Sequence, residues 1–198
     1  MKKETLALFD FDGTLTKKDS FIEFARHTVG NRALTIGIVK NFFWLCLWKL
    51  KVCNGGTAKQ HLFSSLYRGM HYDEFLKYCS TFSTRLVSIE REKLVLKLDW
   101  HVKSGHKVYI VSASAPEWIW PWAKSHGINH DNIIGTMIAR NESDNLTGRF
   151  STPNCNGEEK VRRIISNIPD IDKYVVYAYG NSSGDIPMLN LADFRTTV

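Results

Sequence analysis

Leu6-Ala7-Leu8-Phe9-Asp10-Phe11-Asp12-Gly13-Thr14-Leu15 places two aspartates, with Phe11 between them, at the exit of a short apolar run. Leu6 to Phe9 reads as a buried parallel strand, because a strand covered on both faces is apolar at every position. Asp10 and Asp12 then stand at its carboxyl end, where open α/β sheets bind ligands. A turn at Gly13 brings both carboxylates toward one site. Carboxylates that close repel each other, and a divalent cation or a shared proton is the usual remedy. The plainer alternative is a loop of solvated acids capping a helix.

The rest of the chain sets the bounds on that reading. Its 198 residues fit one domain, or a core with a modest insert. At 43% hydrophobic and 23% charged, it belongs with ordinary globular proteins and not with disordered or fibrous ones. Cys46, Cys53, Cys79 and Cys155 are widely spaced and form no Cys-x-x-Cys pair. They predict reduced thiols and a cytoplasmic location, not a zinc site or a disulfide framework. His126 and His130 are four apart, but Gly127 between them argues against a metal pair on one helix face. The apolar run after Met1-Lys2-Lys3 is too short for a secretory signal. Ala33 to Leu50 is the most membrane-like stretch, yet Lys40, Asn41 and Lys49 interrupt it, so no spanning helix is expected.

The formal net charge is +6, and the surplus sits in one segment: from Lys17 to Arg85 eleven Lys/Arg face four acids. Such a segment attracts phosphate-bearing substrates or an anionic surface. It lacks the compact basic runs of a nucleic-acid tail, and no nucleic-acid partner is expected.

Ser20 to about Arg85 reads as helical throughout. Asp19 or Ser20 caps a first helix that Gly30 ends. Ala33 to Val52 forms a second, stopped by Asn54-Gly55-Gly56. Thr57 caps a third, ending near Gly69, and Asp73 starts a fourth. A long helix follows from about Ser88 to Ser104, closed by Gly105. The pattern then alternates: strands at Lys107–Val111, Ile133–Ala139 and Tyr174–Tyr179, helices from Ser114 and over 157–167, a hairpin at Asn145–Phe150, a short helix from Ile186 and an extended end at Phe194–Val198. Alternation of this kind predicts a parallel sheet with right-handed crossovers.

Each core strand ends in residues suited to a phosphate. Lys107–Val111 runs into Ser112, and the helix after Ser114 can aim its N-terminus at an anion. Tyr174–Tyr179 runs into Gly180-Asn181-Ser182-Ser183-Gly184-Asp185, and Lys160 lies early in the helix before it. Singly these are a turn residue, a solvated cation and a helix cap; jointly, at successive strand ends, they suggest one site.

In that order the residues resemble the four motifs of the haloacid dehalogenase superfamily. Asp10-Phe11-Asp12-Gly13-Thr14-Leu15 is similar to the first, Val111-Ser112 to the second, Lys160 to the third and Asn181 to Asp185 to the fourth. The helical insert resembles the C1 cap of the phosphoserine-phosphatase-like group, subfamily IB, as do Asn154-Cys155-x-Gly157-x-x-Lys160 and Tyr179-Gly180-Asn181-Ser182. The resemblance implies an α/β fold: a Rossmann-like three-layer core with a parallel sheet over 1–16 and 87–198, and an all-α cap over 17–86. It implies Mg²⁺-dependent hydrolysis of a small-molecule phosphate ester in two steps. Asp10 attacks phosphorus to give an aspartyl-phosphate, and Asp12 protonates the leaving oxygen and later deprotonates water. Mg²⁺ is held by Asp10, the Asp12 carbonyl, Asn181 and Asp185. Ser112 and Lys160 bind phosphoryl oxygens, with Thr14 beside them. Asn181 departs from the aspartate common in this group, which implies weaker metal binding, or, in the opposing class of reading, a phosphate-binding pseudoenzyme.

The resemblance also implies that the cap selects the substrate. In phosphoserine enzymes an acid at the start of the cap binds the amine, a role open to Asp19, and a cap arginine binds the carboxylate. Lys59-Gln60-His61-Leu62-Phe63 offers no arginine; Arg68 lies further on. The second cap helix is apolar nearly all round, from Ile36 through Phe42, Phe43 and Trp44 to Leu50. Burial in the cap bundle is its first reading, and contact with an anionic membrane, with a lipid phosphate such as phosphatidylglycerol phosphate as substrate, its second. Trp118-Ile119-Trp120-Pro121-Trp122 is assigned to helix–sheet packing. The sequence assigns no oligomeric state.

Overall fold

A computed structural model describes residues 3–50, 52 and 55–198, without the side chains of Leu45 and Trp48. Asn54, read as part of the stop to the second cap helix, lies outside the described residues, as do Lys51 and Cys53.

The first apolar run is the central strand of a five-stranded parallel sheet, β1 (Glu4–Phe9). It lies between β2 (Lys107–Val111) and β6 (Tyr174–Gly180), with β3 (Ile133–Ile134) beyond β2 and β7 (Phe194–Thr197) beyond β6. Side chains alternate across the sheet. Ala7 and Phe9 pack with Val108 and Ile110 into one apolar cluster, joined by Leu94 and Leu98 of α5 (Glu92–Lys103) and by Trp118 and Trp122 of α6 (Pro116–Ser125). Leu6 and Leu8 join a second cluster with Ile164 of α7 (Glu158–Asn167) and Met188 and Leu189 of α8 (Ile186–Leu189). Burial on both faces explains why β1 is apolar at every position from Leu6 to Phe9, and the expected three-layer α/β fold is the one formed.

Strand register sets the site. Phe9 pairs with Ile110 on one side and Tyr179 on the other. The next residues of three strands, Asp10, Val111 and Gly180, therefore stand abreast at one edge of the sheet.

Between β1 and α5 come four helices: α1 (Ser20–Lys40), α2 (Phe42–Lys49), α3 (Gly55–Tyr67) and α4 (Tyr72–Ser88). The chain leaves and re-enters the core side by side. Lys17 N–H donates to Ile89 O and Arg91 N–H to Leu15 O, both at 2.7 Å, with Thr16 and Glu90 bridged antiparallel between them. Glu23 of α1 is buried and accepts from Arg26 and, at 2.5 Å, from Arg85 of α4. Phe24, also buried, lies 5.2 Å from the rings of Phe75 and Phe82 and stacks at 5.2 Å on Trp118, which ties the helical segment to α6.

Several expectations need correction. Gly30 bends α1 at φ 75° without ending it, and the expected second helix divides between the end of α1 and α2. Gly55 and Gly56 start α3 instead of stopping the helix before it. The long helix begins at Glu92, because residues 89–91 are spent on the paired crossing. The strand read over Ile133–Ala139 splits in two. After β3, Thr136 N–H turns to Ser114 O (3.1 Å), and the chain continues as β4 (Ile138–Arg140), antiparallel to β5 (Leu146–Phe150) in a separate ribbon.

The apolar second helix is buried on one side only: Leu34, Gly37 and Asn41 are covered and Trp44 stacks on His61 at 3.9 Å, while Val39 is 67% exposed, Phe42 63%, Phe43 65% and Leu50 72%. Among the described residues no helix is long and apolar enough to cross a membrane. Trp118 and Trp122 are buried as expected.

Phe24→Ala should cost about 3–5 kcal/mol, the usual loss for a large buried aromatic. The denaturant midpoint at unchanged m-value checks this. A loss below about 1 kcal/mol would show that α1 and α6 do not depend on this contact.

Candidate active site

The chain turns immediately after β1. Asp10 stays extended at ψ 159°, Gly13 takes φ 82°, and Thr16 N–H closes a wide turn on Phe11 O at 3.0 Å. Only glycine fits at position 13. Besides the positive φ, a Cβ there would lie 2.0 Å from the Asn181 amide nitrogen, so the fourth-motif loop rests directly on the first. Gly180 lets that loop fold back on itself, since a Cβ on it would lie 2.6 Å from Asp185 Cβ.

Lys160 is the centre of the arrangement. Its ammonium, 1% exposed, donates to Asp10 Oδ1 and Asp185 Oδ1, both at 2.6 Å, and to Val111 O at 2.8 Å. Three donors meet three acceptors, one at the end of β1, one at the end of β2 and one in the loop after β6. Thr14 Oγ1 donates to Asp10 Oδ2 at 2.8 Å. Asp185 Oδ2 accepts from Asn181 N–H (3.1 Å), Ser182 N–H (2.9 Å) and Ser182 Oγ (2.7 Å).

The two carboxylates differ in consequence. Burial pushes Asp10 up to about 6, with Asp185 and Asp12 adding to the rise and Lys160 opposing it. Burial acts on Asp185 in the same sense, but the Lys160 charge and the bonds from Lys160 and Ser182 outweigh it and hold it below the ordinary carboxylate range. Burial would lower Lys160; the two aspartates more than offset this and keep it charged.

A cavity of about 520 Å³ opens over these groups. Asp10, Asp12, Lys160, Asn181 and Asp185 form its floor, and Asp19, Phe21, Ile22, Ala58, Lys59 and Leu62 of the helical segment form its opposite wall. Asp12 accepts from Ser20 N–H at 2.6 Å (Oδ1) and from Ser114 Oγ at 2.5 Å (Oδ2). Ser112 is fully buried beside the cavity without lining it, and its hydroxyl accepts from Ser114 N–H at 3.0 Å. Asp19 caps α1 by accepting from Ile22 N–H at 3.0 Å. Arg68 is not brought to this cavity: it lines a separate surface depression with Arg149 and Asn141.

The cap cation that does reach the site is Lys59, whose ammonium donates to Ala113 O at 3.0 Å. Its signal was available: Lys59 lies three and four residues before Leu62 and Phe63, hence on the inward face of its helix.

The donor set fits a hard divalent cation. The Asp10 and Asp185 carboxylates, the Asp12 carbonyl and the Asn181 amide offer oxygen alone, and three aspartates outnumber the lysine on the cavity floor. Among the described residues no three His, Cys, Asp or Glu side chains form a metal cluster, so such an ion would depend on the carbonyl, the amide and water.

A carboxyl raised from 3.8 to about 6 adds stability below its unfolded value and loses it as pH rises through 6. Metal-free Asp10→Asn lacks this slope, so its stability relative to wild type should increase by about 1 kcal/mol between pH 5 and pH 7.5. Denaturant unfolding in EDTA checks it; a pH-independent difference would show that Asp10 is ionised throughout.

The family model for haloacid dehalogenase-like hydrolases matches residues 7–190. Protein CicA of Caulobacter vibrioides is 31% identical over 194 residues, covering 95% of this chain and 83% of that protein. A Bordetella pertussis Tohama I protein of unknown function shares the fold with TM-score 0.80 at 21% identity, over 99% of this chain and 90% of the other. A substrate-bound phosphoserine phosphatase shares it with TM-score 0.67 at 18% identity, over 98% and 86%. A phospho-aspartyl intermediate analogue of phosphoserine phosphatase does so with TM-score 0.64 at 18%, over 99% and 87%. With its central strand, aspartate turn and buried lysine inside the matched region, the chain belongs to the haloacid dehalogenase-like hydrolases.

Proposed function

We propose that the chain is a Mg²⁺-dependent phosphomonoester hydrolase that works through an aspartyl-phosphate on Asp10. The observation that carries this reading is the Lys160 ammonium held between Asp10 and Asp185 on the floor of a cavity walled by helices. Family membership and the fold shared with a phospho-aspartyl analogue support it.

Asp10 attacks phosphorus, steadied by Thr14 on one oxygen and Lys160 on the other. Asp12 gives a proton to the leaving oxygen and later takes one from the water that cleaves the acyl phosphate. Ser112 and Lys160 donate to phosphoryl oxygens and offset their charge. Asp10, the Asp12 carbonyl, Asn181 and Asp185 would hold Mg²⁺, which when bound would add to the neutralisation of the transferring group. Asp19 and Lys59 offer one charge of each sign to the remainder of a small substrate such as phosphoserine. The free thiols of Cys46, Cys79 and Cys155 support a reducing, cytoplasmic setting.

One observation favours a second reading, a lipid phosphate taken at a membrane surface. Exposed Val39, Phe42, Phe43, Leu50 and Val52 lie on the chain leading to Gly55 at the cavity wall, with exposed Lys40 and Lys49 among them. Aromatics interleaved with lysines suit an anionic interface.

Phosphate release from p-nitrophenyl phosphate, phosphoserine, sugar phosphates and a dispersed lipid phosphate tests the first reading. Wild type should turn over with Mg²⁺ and stop in EDTA, and Asp10→Asn should lose about 10³-fold or more, as expected of a nucleophile. No release at high Mg²⁺ would leave a phosphate-binding pseudoenzyme.

The second reading predicts co-sedimentation with phosphatidylglycerol vesicles, weakened about tenfold by Phe42→Ser with Phe43→Ser. No binding by wild type would remove the lipid reading and leave the first intact.

A further inference from the structure

Asp12 is held by an oriented chain of hydrogen bonds that begins on α6 and passes through the first residue of α1. Trp118 Nε1 donates to Ser20 Oγ (3.1 Å), Ser20 Oγ to Ser114 Oγ (3.1 Å) and Ser114 Oγ to Asp12 Oδ2 (2.5 Å). Its direction is not free to reverse. A carboxylate oxygen only accepts, so the single Ser114 proton goes to Asp12 and Ser114 accepts the Ser20 proton, while the Ser20 oxygen accepts from the indole N–H, which only donates. Lys59 Nζ, another pure donor, lies 3.4 Å from Ser114 Oγ and adds to the same polarity. Trp118, Ser20 and Ser114 are all buried, so water does not compete for these bonds. Ser20 adds its backbone N–H to Asp12 Oδ1 at 2.6 Å, and the carboxyl plane is pinned at both oxygens.

We propose that Trp118, Ser20 and Ser114 are positioning residues that aim the Asp12 carboxyl at the leaving-group oxygen, and that the packing of α1 on α6 therefore sets proton delivery. This inference rests on the phosphatase reading above. In the step concerned, the bond from phosphorus to the leaving oxygen breaks as the bond from an Asp10 oxygen to phosphorus forms. The proton on Asp12 goes to the departing oxygen, and Asp12 is left as a carboxylate. A leaving group that is stable as an anion needs little of that proton, whereas an alkoxide needs all of it. Loss of aim is therefore read by leaving group.

The experiment compares kcat/KM, which reports the first chemical step, for p-nitrophenyl phosphate and for glycerol 2-phosphate or phosphoserine, whichever alkyl ester wild type turns over faster. Ser114→Ala should lower the alkyl value about 10- to 100-fold and the aryl value less than about threefold, the range of a general-acid contribution. Trp118→Phe should lower the alkyl value less, and in the Ser114→Ala background it should have no further effect on the ratio, because it acts through Ser114. That non-additivity separates the chain from the packing role of Trp118, which thermal unfolding of each variant records independently. Equal losses on both esters, or effects that simply multiply in the double variant, would overturn the inference and leave the phosphatase standing. Silence of wild type on every ester would overturn the phosphatase reading and this inference with it.

Discussion

The ammonium of Lys160 is the constraint on which the rest of this structure depends. It is buried, and a buried charge is tolerated only where its protons are all accepted. The three acceptors come from residues at positions 10, 111 and 185, far apart in sequence, so the loops after three parallel strands must converge within about one side-chain length of each other. The strand register that sets Phe9 against both Ile110 and Tyr179 meets that demand. So do Gly13, which leaves room for the Asn181 side chain against the first turn, and Gly180, which lets its own loop fold back to present Asp185.

The same convergence creates the chemistry. Two carboxylates on one lysine diverge: at Asp185 the Lys160 charge and the bonds from Lys160 and Ser182 outweigh burial, while Asp10 is pushed toward neutrality by burial and by its acidic neighbours. A site that leaves one acid under-compensated has room, electrostatically, for an incoming cation. The helical segment completes the enclosure, contributing one acid, one lysine and several apolar side chains to the opposite wall.

What could be read from the chain follows from how local each signal is. β1, β2 and β6 declared themselves because buried parallel strands are apolar at every position, and Asp10, Lys160 and Asp185 because each follows or precedes such a run. Helix limits in the inserted segment were less legible. Gly30 bends a helix that tertiary packing carries onward, and Gly55 and Gly56 enter a helix their propensity disfavours. The split after Ile134 depends on a bond to Ser114, over twenty residues away, that no local pattern announces. Lys59 was within reach of the helical pattern, three and four residues before Leu62 and Phe63, whereas the displacement of Arg68 to a separate depression depends on how its helix end sits against β5. The outward face of α2 was hidden for the opposite reason, since an all-apolar helix looks the same whether it is covered or not.

The paired crossing at residues 15–17 and 89–91 has a consequence for how this molecule can vary. The helical segment is attached by two antiparallel strands of backbone whose ends lie side by side, bonded to each other at Lys17 and Arg91. Beyond that neck the segment returns to the core through side chains, Phe24 on Trp118 and Lys59 on Ala113 among them. Because the two ends leave and return side by side, chain can be added or removed between them without pulling β1 and β2 out of register at the site.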